Sequence, residues 1–206
     1  MRLSRNKAAI LIILAAVLCV YLGRFLTGFP SKFVKPNGMS TRSKGNPAAP
    51  VSIIEYIDFQ CPACAKGVLV LKDYFERYPS KIYLEMRHFP FSRMHRFAFE
   101  ASEFAECAAQ QGNFWEYAQE LAIDQPRWSK MMDATGVFRR VAENLLLDMP
   151  KLDACLEDEK ARSAILKDKE EGKSLGIDST PTYIINGKMV VGVQPLQEEL
   201  QKLIGK

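Results

Sequence analysis

Residues Val51 to Cys64 read VSIIEYIDFQCPAC, a strand-like run followed by two cysteines. The first eight residues, 51–58, are rich in β-branched and aromatic side chains, which favours a buried strand. Apolar residues then recur at helical spacing between Gly67 and Tyr78, which indicates an amphipathic helix. The sequence therefore places a Cys-x-x-Cys pair between a strand and a helix.

This position favours redox chemistry for Cys61 and Cys64. Unpaired N–H groups and the helix dipole stabilise an anion at the start of a helix. The thiol of Cys61 should therefore ionise near neutral pH. A zinc half-site or a structural disulfide is the alternative interpretation, but zinc needs four ligands and no second Cys/His pair of similar spacing follows. We expect thiol–disulfide exchange, with no metal and no other cofactor.

The charge is distributed unevenly along the 206 residues, whose formal net charge is +4. Eight of the 28 basic residues and no acidic residue lie in residues 1–50. Residues 51–206 therefore carry 20 basic against 24 acidic residues, a mildly acidic balance. This balance does not indicate nucleic-acid binding.

The N-terminal segment has the pattern of a membrane anchor. Residues 1–7 are basic, residues 8–22 are uninterruptedly apolar, and the apolar character continues to residue 29 apart from Arg24. A span over residues 8–29 is long enough to cross a bilayer, and no convincing cleavage site follows it. We expect an uncleaved single-pass helix, with a cleaved secretory signal as the alternative. The basic residues 1–7 should stay in the cytoplasm.

A linker and one folded domain should follow outside the membrane. Residues 30–50 contain four prolines and two glycines among Ser, Thr, Asn and Lys, a composition typical of an extended tether. Residues 51–206 form the domain. The expected location is the inner membrane, with the domain in the periplasm.

The rest of the domain shows two β regions separated by helices. Residues 82–89 indicate a second strand, and residues 94–175 indicate a helical block. One helix of this block is predicted over residues 128–147, where Gly136 could break it. The strands at 182–185 and 188–191 flank Asn186-Gly187, a strong hairpin signal. A final helix begins at Pro195. This order predicts an α/β fold with a central mixed sheet, helices on both faces and a helical insertion.

The domain resembles the thioredoxin fold and, within it, the DsbA-like thiol–disulfide oxidoreductases. The resemblance covers about Val51 to Leu203. It is carried by FQCPAC at 59–64, by ECA at 106–108 with Phe114-Trp115, and by GIDSTPT at 176–182.

The resemblance implies roles for several residues. Cys61 would be the exposed attacking cysteine and Cys64 the buried resolving one. Pro181 would follow a cis peptide bond beside the cysteines, a bond that proline tolerates at a cost of about 0.5–1 kcal/mol. Substrate contacts are expected from Thr180 and Pro181, and also from Pro62 and Ala63.

Glu55 matches the family's buried acid, which would carry the proton of the resolving cysteine. A carboxyl group in an apolar strand should have a raised pKa, as that task requires. Successive side chains of a strand point to opposite faces of the sheet, so an exposed charge on the strand face is an equally good interpretation of Glu55. His88 and His95 are expected in packing or surface positions, and we assign them no catalytic role.

Cys107 and Cys155 both fall in the helical block. Two free thiols would be a liability outside the cytoplasm, so we expect a structural disulfide between them. It would close a loop of about 48 residues, worth roughly 4 kcal/mol on the chain-entropy model. Two buried free thiols are the alternative.

The expected function is a membrane-anchored, monomeric oxidase that forms disulfides in secreted or periplasmic proteins. A membrane quinone-linked partner would reoxidise it. A reductase or isomerase of the same fold is the close alternative, because the sequence does not reveal the redox potential. A module that binds Cu(I) or an unfolded client without turnover is the alternative of another class.

Overall fold

The structure is a computed structural model that describes residues 41–205. The expected anchor at 8–29 and most of the expected linker lie outside these residues. Within residues 41–205, every helix is too short or too polar to span a bilayer.

Residues 41–205 form five strands and seven helices. The strands are β1 (Ser43–Gly45), β2 (Val51–Ile57), β3 (Ile82–His88), β4 (Thr182–Ile185) and β5 (Lys188–Val191). The helices are α1 (Pro62–Arg77), α2 (Ala98–Gln110), α3 (Phe114–Trp128), α4 (Thr135–Asn144), α5 (Met149–Glu157), α6 (Glu159–Ser174) and α7 (Val193–Ile204).

The strands make one mixed sheet in the order β1-β3-β2-β4-β5. The central strand β2 runs parallel to β3 and antiparallel to β4, and α1 is the crossover between the parallel pair. Nearly every residue of β2 and β3 is buried, because helices cover both faces of the sheet. The predicted α/β architecture with a mixed sheet is confirmed.

The two faces of β2 have different partners. Val51 and Ile53 share a core with Leu71 of α1 and with α7. Ile54 and Tyr56 face the other side, where α6 approaches so closely that a methyl group at Gly172 would meet Tyr56. Because side chains alternate along a strand, Glu55 belongs to the α1 side.

The helical insertion packs over the start of α1. Its core includes Phe104, Phe114 and Tyr117, and it is continuous with Phe59 and Cys64 beside the cysteine pair. Helices α2 to α6 lie within residues 94–175, the range of the expected insertion. The insertion therefore forms one wall of the region around Cys64.

One helix prediction was partly wrong. Trp128 ends α3 instead of beginning the next helix, because its indole is buried and donates to the Leu121 carbonyl at 2.9 Å. The next helix begins at Thr135, so Gly136 lies in its first turn and does not break it. The Asn186-Gly187 hairpin is confirmed, with positive φ at both residues as a type I′ turn requires.

The linker prediction was wrong at its C-terminal end. Residues 43–45, assigned to the tether, form edge strand β1 and pair antiparallel with β3. Arg42, just before β1, forms ion pairs with Glu106 and Asp168. A three-residue strand has no periodicity to detect, and contacts distant in sequence hold it in the sheet.

Candidate active site

Asp58 organises the loop that carries the first cysteine. Its carboxylate is fully buried at the end of β2 and accepts hydrogen bonds from the backbone N–H groups of Gln60 and Cys61, at 2.8 and 3.2 Å. Its other oxygen lies 2.7 Å from the N–H of Phe91 and 2.9 Å from Nδ1 of His95. One buried side chain thus ties the cysteine loop to the segment after β3.

Cys61 lies at the N-cap of α1, with Pro62 as the first helical residue. Its thiol is half-buried, and its Sγ is 3.4 Å from the carbonyl oxygen of Thr180. The hydrogen bond from Cys64, aided by the backbone N–H groups of Cys64 and Ala63, lowers the pKa of Cys61 to about 6, against desolvation. The thiolate is therefore the dominant form of Cys61 at neutral pH.

Cys64 occupies the opposite environment one helical turn later. Its side chain is fully buried, and its sulfur, like that of Cys61, is a thiol and not part of a disulfide. Burial raises the pKa of Cys64 well above its usual value, and the neighbouring Cys61 raises it further. The pair therefore combines one accessible thiolate with one buried thiol, the asymmetry that a nucleophile and a resolving cysteine need.

The loop before β4 reaches the cysteine pair. The Thr180–Pro181 peptide bond is cis, as the resemblance implied. Thr180 is partly exposed and Pro181 is buried. Pro62 is exposed and Ala63 partly so. The four residues expected to contact substrate thus surround or adjoin the accessible sulfur, and their role in binding stays a prediction.

Glu55 is fully buried, which excludes the interpretation as an exposed strand charge. Desolvation raises the pKa of its carboxyl group to about 8. A carboxyl group that titrates near neutral pH can accept and return a proton under physiological conditions. Its role in proton transfer remains a prediction.

Sequence reasoning missed three residues that shape this site. Asp58 could have been recognised, because an Asp three residues before the first cysteine has the spacing of a capping side chain. Tyr183 lies directly opposite Glu55 across β4 and β2, and Gly67 of α1 makes room for its hydroxyl. Neither of these two has a local signature, because Tyr183 depends on strand register and Gly67 on the packing of α1 against the sheet.

The insertion contacts the cysteine loop through a second polar link. Gln125 of α3 is buried and donates to the carbonyl of Gln60 at 2.6 Å. The side chain of Gln60 in turn accepts from the N–H of Phe97 at 2.7 Å and donates to the carbonyl of Ser129 at 3.2 Å. These bonds fix the insertion against the residue before Cys61.

Cys107 and Cys155 form a disulfide that joins α2 to α5. The pairing agrees with the sequence prediction and excludes two free thiols. His88 is buried against Glu106 at 3.2 Å, and His95 contacts Asp58, so both histidines have packing or hydrogen-bonding positions. No group of three His, Cys, Asp or Glu side chains in residues 41–205 is placed to hold a metal ion.

Comparison with known proteins connects this geometry to a family. A family model described as Thioredoxin matches residues 38–206. The chain is 31% identical over 147 residues to "Na(+)/H(+) antiporter NhaA 1" of Mycolicibacterium gilvum, covering 70% of this chain and 23% of that protein. It thus spans about a quarter of the length of that relative.

Two further proteins match over most of their length. The chain is 25% identical over 170 residues to "Probable disulfide bond formation protein D" of Bacillus anthracis, covering 80% of this chain and 77% of the relative. The crystal structure of α-DsbA1 from Wolbachia pipientis superimposes with a TM-score of 0.71 at 23% identity, covering 85% and 96% of the two chains. With the family match over residues 38–206, these likenesses show that the chain belongs to the thioredoxin family.

Proposed function

We propose that this protein is a thiol–disulfide oxidoreductase that forms disulfides in extracytoplasmic proteins. The observation that carries the proposal is the asymmetry of the cysteine pair. Cys61 is accessible, with its pKa lowered to about 6, whereas Cys64 is buried with a raised pKa. The carbonyl oxygen of Thr180, a partly exposed residue, lies 3.4 Å from the reactive sulfur, so an extended substrate bound at this residue would lie beside Cys61.

The exchange proceeds through a mixed disulfide between Cys61 and the substrate. A substrate thiolate attacks Sγ of Cys61 in the Cys61–Cys64 disulfide, and the sulfur of Cys64 leaves and takes up a proton. A second substrate thiolate then attacks the substrate sulfur of the mixed disulfide and releases Cys61 as a thiolate. The substrate loses two electrons and becomes a disulfide, and the cysteine pair gains them.

The lowered pKa of Cys61 supports the oxidising direction. A stabilised thiolate lowers the free energy of the reduced pair, which makes the corresponding disulfide a stronger oxidant. The relative named for disulfide bond formation supports the same direction. A reductase or isomerase would instead need a disulfide that is more stable relative to the dithiol.

The proposal includes the setting of the reaction. A membrane anchor at residues 8–29 would hold the domain in the periplasm as a monomer, and a membrane redox partner would reoxidise the pair. The apolar segment after a basic N-terminus supports this placement. Fractionation of cells and protease accessibility of the domain in spheroplasts test it.

The direction of electron flow is tested by the equilibrium of the Cys61/Cys64 couple with glutathione. We expect a potential toward −120 mV, the oxidising end of the range for such proteins, which extends to about −270 mV. The full chain should also oxidise a reduced, unfolded protein, and Cys61→Ser should abolish this activity. A potential near the reducing end, with a dithiol population in cells, would support the reductase.

A further inference from the structure

A buried tyrosine lies beside the predicted proton acceptor. Tyr183 of β4 is directly opposite Glu55 of β2, and both side chains are fully buried. Directly opposed residues project to the same face of a sheet. Tyr183 shares its core with Leu71 of α1, so this face is the one that α1 covers.

The helix leaves a space for the tyrosine hydroxyl. A methyl group at Gly67 would overlap the hydroxyl of Tyr183 and would lie 3.4 Å from Oε1 of Glu55. Both polar groups therefore border the same small space. Gly67 is three residues after Cys64, so it follows Cys64 on the same side of the helix.

The polar atoms in this space are otherwise unsatisfied. Among residues 41–205, neither oxygen of Glu55 nor the hydroxyl of Tyr183 has a partner in good hydrogen-bonding geometry. Burial of unpaired polar atoms is costly, and a redox or catalytic role is one reason for which proteins retain them.

The two groups nevertheless influence each other. Burial raises the pKa of Glu55, and the Tyr183 hydroxyl opposes this shift. Burial also raises the pKa of Tyr183, as do the charges of Glu55 and Cys64. The tyrosine therefore stays protonated and is available as a hydrogen-bond donor.

We propose that Tyr183 is a positioning residue for the proton acceptor of the resolving step. Its hydroxyl donates to the Glu55 carboxylate and holds that carboxylate beside Cys64, in the space that the missing side chain of Gly67 leaves open. The proposal rests on the proposed function and adds to it a residue through which the acid acts.

The step concerned is the closure of the Cys61–Cys64 disulfide from a mixed disulfide. The thiol of Cys64 gives its proton to the Glu55 carboxylate, and the resulting thiolate attacks Sγ of Cys61. The bond between Cys61 and the partner sulfur breaks, and the partner leaves as a thiolate with the electron pair. The hydroxyl of Tyr183 stabilises the carboxylate before the transfer and keeps its own proton.

An aromatic disulfide such as 5,5′-dithiobis(2-nitrobenzoate) tests the proposal. Its reaction with the reduced full-length protein, in detergent, reports the reactions of the two cysteines as separate kinetic phases. A first phase reports attack by Cys61, and a second phase reports closure by Cys64, each releasing one coloured thiolate. We expect Tyr183→Phe to move the inflection of the second-phase pH profile upward by about one unit, because loss of the donor destabilises the carboxylate. The first-phase profile should not move.

Tyr117→Phe is the matched control. Tyr117 is also fully buried, but its hydroxyl donates to the Phe138 carbonyl at 2.9 Å inside the insertion. This variant also loses a buried hydroxyl. If the proposal is correct, the pH profiles of both phases stay as in the wild type. Circular dichroism verifies that both variants are folded.

A second measurement applies if Tyr183→Phe does not fold. Site-specific 3-fluorotyrosine at position 183 makes the hydroxyl a stronger donor, so the second-phase inflection should move downward, opposite to the Phe variant. An unmoved inflection in either folded variant, with both phases present, overturns the positioning role and leaves the proposed function intact. If the wild-type protein shows neither phase, the proposed function itself is overturned.

Discussion

The Sγ atom of Cys61 lies 3.4 Å from the carbonyl oxygen of Thr180, a residue 119 positions further along the chain. The contact joins the start of α1 to the loop that leads into β4. It places the reactive sulfur beside a partly exposed residue, so a bound peptide can approach the sulfur and Thr180 together. The chemistry of the site depends on this pairing of two distant segments.

The environment of Cys61 predicts how its reactivity responds to pH. Its pKa is lowered to about 6, so the reactive thiolate is present above pH 6 and is lost as pH falls through that value. Alkylation by iodoacetamide should therefore rise with pH and level off above about pH 7. Cys64, with its raised pKa, should remain unreactive over this range.

The hydrogen bond from Cys64 is the largest cause of the low Cys61 pKa. Cys64→Ala removes the donor and should raise the pKa of Cys61 by about one unit. Cys64→Ser keeps a donor and should raise it less. Thiolate absorbance at 240 nm measures both values, and equal pKa values in the Ala variant and the wild type would contradict this assignment.

Asp58 should contribute strongly to stability. Asp58→Ala leaves the N–H groups of Gln60 and Phe91 and the His95 ring without their acceptor, whereas the N–H of Cys61 keeps the main-chain carbonyl of residue 58. We expect the free energy of unfolding to fall by about 3 kcal/mol. Asp58→Asn, which retains one acceptor oxygen, should have a smaller effect. Urea denaturation measures the change.

Asp148 provides the control for Asp58. It caps α5 at an exposed position, where its carboxylate accepts from the N–H of Lys151. Asp148→Ala should lower the free energy of unfolding less than Asp58→Ala does, because water can replace the lost acceptor at an exposed position. Equal losses for the two variants would show that Asp58 acts as an ordinary helix cap.

Burial of Glu55 predicts a pH dependence of stability. Its pKa rises from 4.5 to about 8 on folding, so the folded state holds a proton that the unfolded state has lost between these values. The favourable contribution of the neutral carboxyl group is complete below pH 4.5 and is lost as pH rises through 8. Relative to Glu55→Gln, the wild type should lose about 1.4 kcal/mol per pH unit in this window.

Urea unfolding of the wild type and Glu55→Gln at pH 5, 6, 7 and 8 measures this slope. The comparison cancels the other titrating groups, which the two proteins share. A constant difference between them across the series would mean that Glu55 titrates at its ordinary pKa in the folded state.

The Cys107–Cys155 disulfide should stabilise the domain by restricting its unfolded state. It links residues separated by 48 positions, for which the chain-entropy model gives about 4 kcal/mol. The double variant Cys107→Ala/Cys155→Ala should lose about this amount in urea denaturation. Cys61 should keep its low pKa, and a raised value would contradict a purely structural role.

The local parts of the fold could be predicted from the sequence. The strand at 51–57, the helix after the cysteine pair and the hairpin at Asn186-Gly187 follow from periodicity and turn chemistry, which act over a few residues. The redox chemistry of Cys61 and Cys64 was likewise predicted from their local spacing between a strand and a helix. Edge strand β1 could not be predicted, because ion pairs of Arg42 with distant acids hold it.

By itself, the sequence determined that a Cys-x-x-Cys pair begins a helix after a buried strand. Spacing along the chain is enough for that, since it sets which groups share a helix terminus. Tertiary structure alone decided that Glu55 is buried opposite Tyr183, that Asp58 holds the cysteine loop to the segment after β3, and that Thr180 meets Cys61. These relationships depend on strand register and on contacts between remote segments, which no local pattern encodes.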